Sequence, residues 1–544
     1  MSDRSSARAR WARYRQQLIV VDHLGLRLDP SRMDLDEDVL DGYDAPMARA
    51  LEAMVALEAG AVANPDENRR VGHYWLRAPE RAPDTAIRQA VLDTRTRIAA
   101  FARDVHEGTI APPTAPRFTD LLLIGIGGSA LGPQLVADAL GDPRRDRLAF
   151  HSFDNTDPDG MDRTLAALGD RLATTLTVVI SKSGGTAETR NGMLTARAAF
   201  ADAGHDFARH AVAITGDGSA LDRVAVDDGW LARFPMWDWV GGRTSETAAV
   251  GLVPAALQGL DVHEMLRGAA ACDAVTRRGT GDPRAWRRNP AAVLAAAWHH
   301  AIHARRTPTM VVLPYRDRLL LLSRYLQQLI MESIGKRHDR QGQEVEEGLA
   351  VYGNKGSTDQ HAYVQQLRDG RGGFFTLFVE SLVDATSGPP VGDGDGDAPA
   401  VYAGDHLRGF RLGTRAALDE RGRHSLTLTI DRIDAYHLGV LIALHERAVG
   451  LYAELVDINA YHQPGVEAGK RAAKDVLTLQ AKLLGALAEG PPRTADELAA
   501  AVGAADQAET AWQTLEALAA NARVTRVSTE DGDPFGARYA GVHA

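Results

Sequence analysis

The sequence LLLIGIGGSALGP, residues 121–133, has the features of a ligand-binding turn in an α/β protein. It begins with four apolar residues, Leu121–Ile124, as in a strand that is buried on both faces. Three glycines follow, the last of them Gly128, and they let the backbone turn tightly and approach a ligand closely. Ser129 is suited to cap a helix, and helical apolar spacing runs through residues 131–140. The stretch therefore predicts a strand, a glycine turn and a helix N-terminus that faces an anion.

Two other interpretations of this turn stay open. It could be a glycine-rich turn that binds nothing. It could also be a dinucleotide-binding loop, but the six-residue fingerprint of such loops needs a glycine where this chain has Ala130.

A second unit of the same design follows at residues 176–200. An apolar strand, Leu176–Ile180, leads into the sequence SKSGGT at residues 181–186, and helical spacing begins at Ala187. The polar side chains of this turn are three hydroxyls and one cation: Ser181, Ser183, Thr186 and Lys182. Hydroxyls and backbone N–H groups together suit a tetrahedral anion, so two such units predict a phosphate site. The alternative is a turn rich in Ser and Thr that only caps a helix.

The composition limits the classes of function. The chain has 544 residues, 45% of them hydrophobic and 24% charged, as in a globular protein of several domains. Its formal charge of −11 argues against a nucleic-acid or anionic-membrane partner. Cys272 is the only cysteine, which excludes an intrachain disulfide and a cysteine metal site. No signal peptide or membrane-spanning run is evident, so we expect a cytoplasmic protein. No cluster of metal ligands appears in the sequence, and we expect no metal or other cofactor.

The order of patterns predicts four parts. Residues 1–110 read as a helical segment, and residues 111–280 and 281–475 as two doubly wound α/β domains with parallel sheets. Residues 476–544 resemble a small winged-helix module, with Val524–Val527 and Tyr539–Val542 as its wing. Its helices carry few Lys or Arg, so we expect a packing role rather than DNA binding.

Further polar residues stand at predicted turns and helix starts. Arg243 follows two glycines, while Gln328 and Glu332 are four apart on one face of a helix predicted over Leu319–Lys336. His361 follows a capping box formed by Ser and Gln at residues 357–360. Taken singly, each has an ordinary structural interpretation: a surface arginine, a solvated glutamate, a structural histidine.

Six motifs occur together in one order and change this interpretation: IGIGGSALGP, SKSGGTAET, VGGRTSETAAVGLVPAAL, QQLIMESIGK, STDQHA and QPGVEAGK. The chain thereby resembles the glucose-6-phosphate isomerase family. The resemblance implies two sugar-isomerase (SIS) domains, a homodimer, and a cytosolic role in glycolysis and gluconeogenesis. It also implies interconversion of glucose 6-phosphate and fructose 6-phosphate.

The resemblance also implies roles for individual residues. The sugar phosphate would be bound by residues of the two turns: Gly128, Ser129, Ser181, Lys182, Ser183 and Thr186. Glu332 would be the catalytic base, with Gln328 beside it, and Arg243 would stabilise the enediolate. His361, from the partner subunit, and Lys470 would open the sugar ring, and Gln463 would bind substrate.

Three rival functions stay open. One is a dual phosphoglucose and phosphomannose isomerase, because the turn SKSGGT and the residue Pro464 depart from the usual family pattern. Another is a non-catalytic sugar-phosphate sensor, although a sensor would not need the four candidate catalytic residues together: Glu332, Arg243, His361 and Lys470. An NAD-dependent dehydrogenase is the third, but the second serine-rich turn has no role in such an enzyme.

Overall fold

The computed structural model describes residues 6–277, 282–386, 388–391, 400–488, 490–527 and 532–542. The side chains of residues 466–468 and of Lys470 lie outside this description. The chain divides into two compact units, residues 1–462 and 463–544. The expected boundary between the two α/β domains, at residues 280–281, lies outside the described residues.

Within its described residues, the first unit contains fifteen strands. They are β1 Ile19–Val21, β2 Leu26–Arg32, β3 Val62–Asn64, β4 Arg69–Arg70, β5 Asp120–Ile124, β6 Ala149–Phe153, β7 Thr175–Ser181, β8 Ala211–Thr215, β9 Ala232–Pro235, β10 Thr309–Pro314, β11 Lys336–His338, β12 Glu344–Glu347, β13 Ala350–Tyr352, β14 Phe375–Ser381 and β15 Ser425–Ile430.

Helices lie between these strands. They are α1 Ala7–Gln17, α2 Glu37–Glu58, α3 Thr85–Glu107, α4 Leu131–Leu140, α5 Pro158–Leu168, α6 Ala187–Asp202, α7 Ala220–Asp227, α8 Ala249–Gln258, α9 Val262–Thr276, α10 Pro290–His299, α11 Leu322–Leu326, α12 Glu332–Ile334, α13 Val364–Asp369, α14 Ala403–Asp419 and α15 Ala435–Leu455.

The first sheet is parallel throughout and has the order β6-β5-β7-β8-β9. Every residue of β5 and of β7 is buried, which explains why both strands are predominantly apolar. The chain leaves β5 toward β6 on one side and reaches β7 on the other. The carboxyl ends of β5 and β7 therefore flank the point where the strand order reverses, which is where open α/β sheets bind ligands.

The second sheet has the order β1-β2-β15-β14-β10-β13. Its four strands β15, β14, β10 and β13 are parallel, while β2 runs antiparallel to β15 and β1 antiparallel to β2. Residues 1–110 contain the helices α1, α2 and α3, as expected of a mostly helical segment, and in addition the strands β1 to β4, which the sequence pattern did not predict. Strand β2 joins the sheet by pairing with β15, for example Leu28 opposite Leu428, and β1 in turn pairs with β2.

Helix α15 lies at the centre of the first unit. All residues from His437 to Ala453 are buried, and the helix packs against α9, α10 and α2. Two glycines let α15 and α9 approach closely: a Cβ on Gly439 would collide with the carbonyl oxygen of Met265, and one on Gly268 with that of Tyr436. This contact explains why α15 and α9 carry glycine where they meet.

The second unit has its own core. It contains α16 Pro464–Leu487, α17 Ala495–Ala501, α18 Ala508–Ala520 and an antiparallel pair, β16 Val524–Val527 and β17 Arg538–Gly541. Buried side chains from each helix and from β17 meet, among them Leu483, Leu498, Leu515 and Tyr539. The predicted two-stranded wing is confirmed, and the first helix of the unit begins at Pro464, before the expected boundary.

Candidate active site

The turn after β5 packs against a distant loop. Gly127–Ser129 form a single 3₁₀ turn, and Gly128 has no room for a Cβ because the carbonyl oxygen of Gly242 lies against it. A Cβ on Gly127 would stand 3.0 Å from Nε2 of Gln328. The two glycines therefore allow three separate segments to meet at one point. The sequence predicted Ser129 as the N-cap of α4, and this prediction is wrong. The helix begins two residues later, and Ala130 holds the N-cap position.

The turn after β7 is held by its own hydroxyls. Ser181 Oγ accepts a hydrogen bond from Gly184 N at 3.2 Å and donates one to Thr186 Oγ1 at 3.3 Å. Ser183 Oγ accepts from Gly185 N at 3.1 Å. Thr186 is the N-cap of the sixteen-residue helix α6, and its side chain makes no capping hydrogen bond. Hydroxyls and a long helix N-terminus thus lie together at the carboxyl end of β7, next to β5.

Lys182 is directed toward the loop that follows β9. Its Nζ donates to the carbonyl oxygens of Asp238 at 3.2 Å and Val240 at 3.3 Å, and lies 3.5 Å from Asp238 Oδ1. Burial lowers the pKa of Lys182, while Asp238 raises it. The ammonium group is therefore already engaged by this loop, beside the hydroxyls of its own turn.

Arg243 lies in a 3₁₀ turn, Gly242–Thr244, and only 7% of it is exposed. Its Nε donates to Ser333 Oγ at 2.7 Å, and its Nη1 lies 3.4 Å from Glu332 Oε2. Its Nη2 donates to the carbonyl oxygens of Ala460 at 2.5 Å and His462 at 3.2 Å. A planar guanidinium with this many partners is fixed in position.

Glu332 lies where a helix changes its winding. The predicted helix over Leu319–Lys336 is interrupted: α11 passes into a π-helical segment, Gln327–Met331, and α12 then ends at Ile334. Such π segments are frequent at functional sites. Nε2 of Gln328 lies 3.4 and 3.5 Å from the two carboxylate oxygens of Glu332, so the predicted pairing of these side chains is confirmed. The side chain of Glu332 is 28% exposed, which leaves it accessible to a ligand.

His361 is exposed, at the end of a 3₁₀ turn, Thr358–His361. The predicted capping box is wrong, because Ser357 makes no capping hydrogen bond. Gln360 instead donates to the carbonyl oxygen of Phe410 at 3.0 Å and to the hydroxyl of Thr414. These tertiary partners satisfy the amide that a capping box would have used, and the following helix α13 starts only at Val364.

Gln463 and Lys470 belong to the second unit. Gln463 holds the N-cap position of α16 and is exposed. Lys470 lies on the same helix, and its side chain is outside the described residues. Their roles at the site stay predictions.

Three residues that the sequence patterns did not single out also lie in this cluster. Ser333 accepts the hydrogen bond from Arg243 Nε, and the carbonyl oxygen of His462 accepts one from Nη2. Lys336, only 5% exposed, donates to the carbonyl oxygens of Glu332 at 2.5 Å and Ser333 at 2.8 Å. A signal for Lys336 was present: it lies four residues after Glu332 in the quoted motif.

The cluster thus combines a carboxylate, a fixed guanidinium and an amide beside a glycine turn. These are the groups for moving a proton at a carbon whose neighbouring oxygen becomes negative. Across the described ranges, no group of three or more His, Cys, Asp or Glu is placed to hold a metal ion. No helix in those ranges is both long and apolar enough to cross a membrane.

Known proteins share this sequence and fold. The family model described as Phosphoglucose isomerase matches residues 29–379 and 418–483. A glucose-6-phosphate isomerase of Geobacter sulfurreducens is 59% identical over 513 residues, 94% of this chain and 95% of that protein. One from Synechococcus elongatus is 54% identical over 530 residues, covering 97% and 98% of the two chains.

Solved structures agree with the sequence matches. A crystal structure of a glucose-6-phosphate isomerase from Chlamydia trachomatis superimposes with a TM-score of 0.76 at 26% identity, and the alignment covers 87% of this chain and 91% of that one. The family model, the relatives that match over nearly the full length and the fold all agree. The chain belongs to the phosphoglucose isomerase family.

Proposed function

We propose that this protein interconverts glucose 6-phosphate and fructose 6-phosphate, with Glu332 as the base. The observation that carries the proposal is the placement of the Glu332 carboxylate 3.4 Å from a buried, fixed guanidinium, beside the glycine turn after β5. Relatives at 54–59% identity over nearly the whole chain are named for this activity.

The reaction requires one proton to move between adjacent carbons. Glu332 removes the C2 proton of the open-chain aldose, the C–H electron pair forms the C1–C2 double bond, and the carbonyl oxygen becomes negative. Arg243 stabilises this enediolate, and a fixed cation in a water-poor site is worth a few kcal/mol. The O2 proton moves to O1, the electron pair left on O2 forms the C2 carbonyl, and the electron pair of the C1–C2 double bond takes the proton back from Glu332 at C1, which completes the ketose.

Anchoring of the phosphate places the two carbons beside Glu332. We assign this role to Gly128, Ser129 and the turn at Ser181–Thr186, since two glycine-containing turns end adjacent strands at the switch point of the first sheet. Lys182 contributes positive charge at the edge of this turn. Holding both ends of the substrate converts proton transfer into a positioned intramolecular step.

Ring opening needs a second acid–base group, and we assign it to His361 and Lys470, with Gln463 as a further substrate contact. His361 is exposed on this chain, which leaves it accessible to a second copy. We therefore propose a homodimer in which His361 completes the partner's site. A cytoplasmic location follows from the glycolytic role.

The proposal is tested with Glu332→Gln, which keeps the shape of the side chain and removes the base. We expect kcat to fall by at least about 1,000-fold, that is about 4 kcal/mol in the barrier, while substrate still binds. Glu344→Gln is the matched control, because that glutamate is exposed and pairs only with an exposed Arg337 at 3.0 Å. A Glu332→Gln variant with more than about a tenth of the wild-type kcat would show that Glu332 is not the base.

A further inference from the structure

Lys336 caps the end of the helix that carries Glu332. The helix stops at Ile334, and its last carbonyl groups have no partner within the helix. Nζ of Lys336 donates to two of them, those of Glu332 at 2.5 Å and Ser333 at 2.8 Å. Side-chain cations at a helix C-terminus also interact favourably with the helix dipole.

Arg243 holds the same two residues from the opposite side. It bonds to their side chains, Ser333 Oγ at 2.7 Å and Glu332 Oε2 at 3.4 Å, whereas Lys336 bonds to their backbone. The two cations together define where the carboxylate lies. Neither contact of Lys336 uses the side-chain oxygens that would face a substrate.

The charged groups around Lys336 come from several segments. Burial and then Arg243 lower the pKa of Lys336 to about 7, while Glu332 raises it. His462 faces it from the end of the first unit, and Lys336 in turn lowers the pKa of His462. Glu347 is its register partner in β12, but that carboxylate accepts from Tyr452 Oη at 2.8 Å.

Lys336 keeps its proton only in part at neutral pH. Its ammonium form, with three donors and a full charge, predominates below pH 7 and gives way above it. The capping and the electric field felt by Glu332 therefore change around neutral pH.

We propose that Lys336 is a positioning residue for the proton transfer, whose ammonium group fixes the backbone of Glu332 and Ser333 and so keeps the Glu332 carboxylate against Arg243. The inference rests on the proposed function. It predicts that replacing Lys336 lowers the rate of the chemical step and leaves substrate binding unchanged. This loss of rate should become smaller as the pH rises and the lysine loses its charge.

The test compares Lys336→Met, Lys336→Arg and the control Lys482→Met, which changes an exposed lysine of the second unit. At pH 6 we expect Lys336→Met to lower kcat by about 10- to 100-fold with KM within about threefold, because only the positioned step is lost. The ratio of wild-type to Lys336→Met kcat should be several-fold smaller at pH 8. Lys482→Met should match the wild type at both pH values.

Lys336→Arg keeps the positive charge at every pH. It provides the test if Lys336→Met unfolds at a lower temperature than the wild type. Its kcat relative to the wild type should rise from pH 6 to pH 8, because only the wild type loses its cation. A ratio that is constant with pH for both variants, or a loss that appears in KM alone, overturns the proposal. A wild-type protein without isomerase activity would instead overturn the proposed function, so the two failures are distinguishable.

Discussion

Arg243 Nη1 lies 3.4 Å from Glu332 Oε2, although the two residues are 89 positions apart in the sequence. Arg243 belongs to the loop that follows the first sheet, and Glu332 to the helix that follows β10 of the second. The pair can therefore form only when both sheets are folded and packed. This makes the site sensitive to changes in either half of the first unit.

Replacing Arg243 with lysine should lower kcat by about 100- to 1,000-fold, since an ammonium group cannot keep the fork of bonds to Ser333, Glu332 and Ala460. Steady-state kinetics in both directions measures it. Arg233→Lys is the control, because Arg233 pairs with Asp222 and is 45% exposed. Full activity in Arg243→Lys would show that point charge alone suffices.

Gly128→Ala should reduce activity and thermal stability together. The added methyl group would meet the Gly242 carbonyl and push the glycine turn away from the Arg243 loop. We expect a cost of about 1–3 kcal/mol and at least a tenfold loss of kcat/KM. The control is Gly413→Ala, where a Cβ meets nothing within 4 Å on a helix. An unchanged melting temperature and activity in Gly128→Ala would contradict the close contact.

Ser181→Ala should weaken binding of sugar phosphate by about 1–3 kcal/mol, seen as a higher KM and as weaker competition by inorganic phosphate. The physical reason is that Ser181 Oγ links Gly184 N and Thr186 Oγ1, so its loss loosens the turn. Thr164→Ala removes a hydroxyl that only bonds back to its own helix, at Gly160 O, and serves as the control. Equal affinities for sugar phosphate in Ser181→Ala and Thr164→Ala would show that the phosphate binds at another site.

Glu246→Gln should make the protein more stable at alkaline pH. Glu246 is 2% exposed and, in the part of the chain described, neither carboxylate oxygen has a hydrogen-bond partner. Its oxygens lie against Gly132 and Gly251, where no Cβ would fit. Burial, with a further contribution from Glu446, raises the pKa of Glu246 well above 4.5.

The sign follows from proton linkage. Above pH 4.5 the unfolded chain releases this proton while the folded protein retains it, so the residue costs stability as pH rises. Glutamine carries no such cost. The difference in melting temperature between Glu246→Gln and the wild type should be small at pH 4.5 and grow toward pH 8. A difference that stays constant, as expected for the exposed control Glu346→Gln, would mean that Glu246 is ionised in the folded protein.

Local patterns were sufficient for the central strands of the first sheet. Runs such as Leu121–Ile124 and Leu176–Ile180 are apolar on both faces, and only the interior of a parallel sheet accommodates that. The glycine turns and the pairing of Gln328 with Glu332 were also predictable, because they depend on neighbours within a few residues.

Other features depend on partners that are distant in the sequence. Gln360 donates to Phe410 and Thr414 instead of forming a capping box, and β2 joins the second sheet through its pairing with β15. Sequence by itself indicated the buried central strands, the glycine turns and many of the helices, and it singled out candidate site residues such as Glu332 and Arg243. Tertiary structure alone decided that Arg243, Ser333 and Lys336 converge on Glu332, because hydrogen bonds between distant segments form only after packing has brought their backbones together.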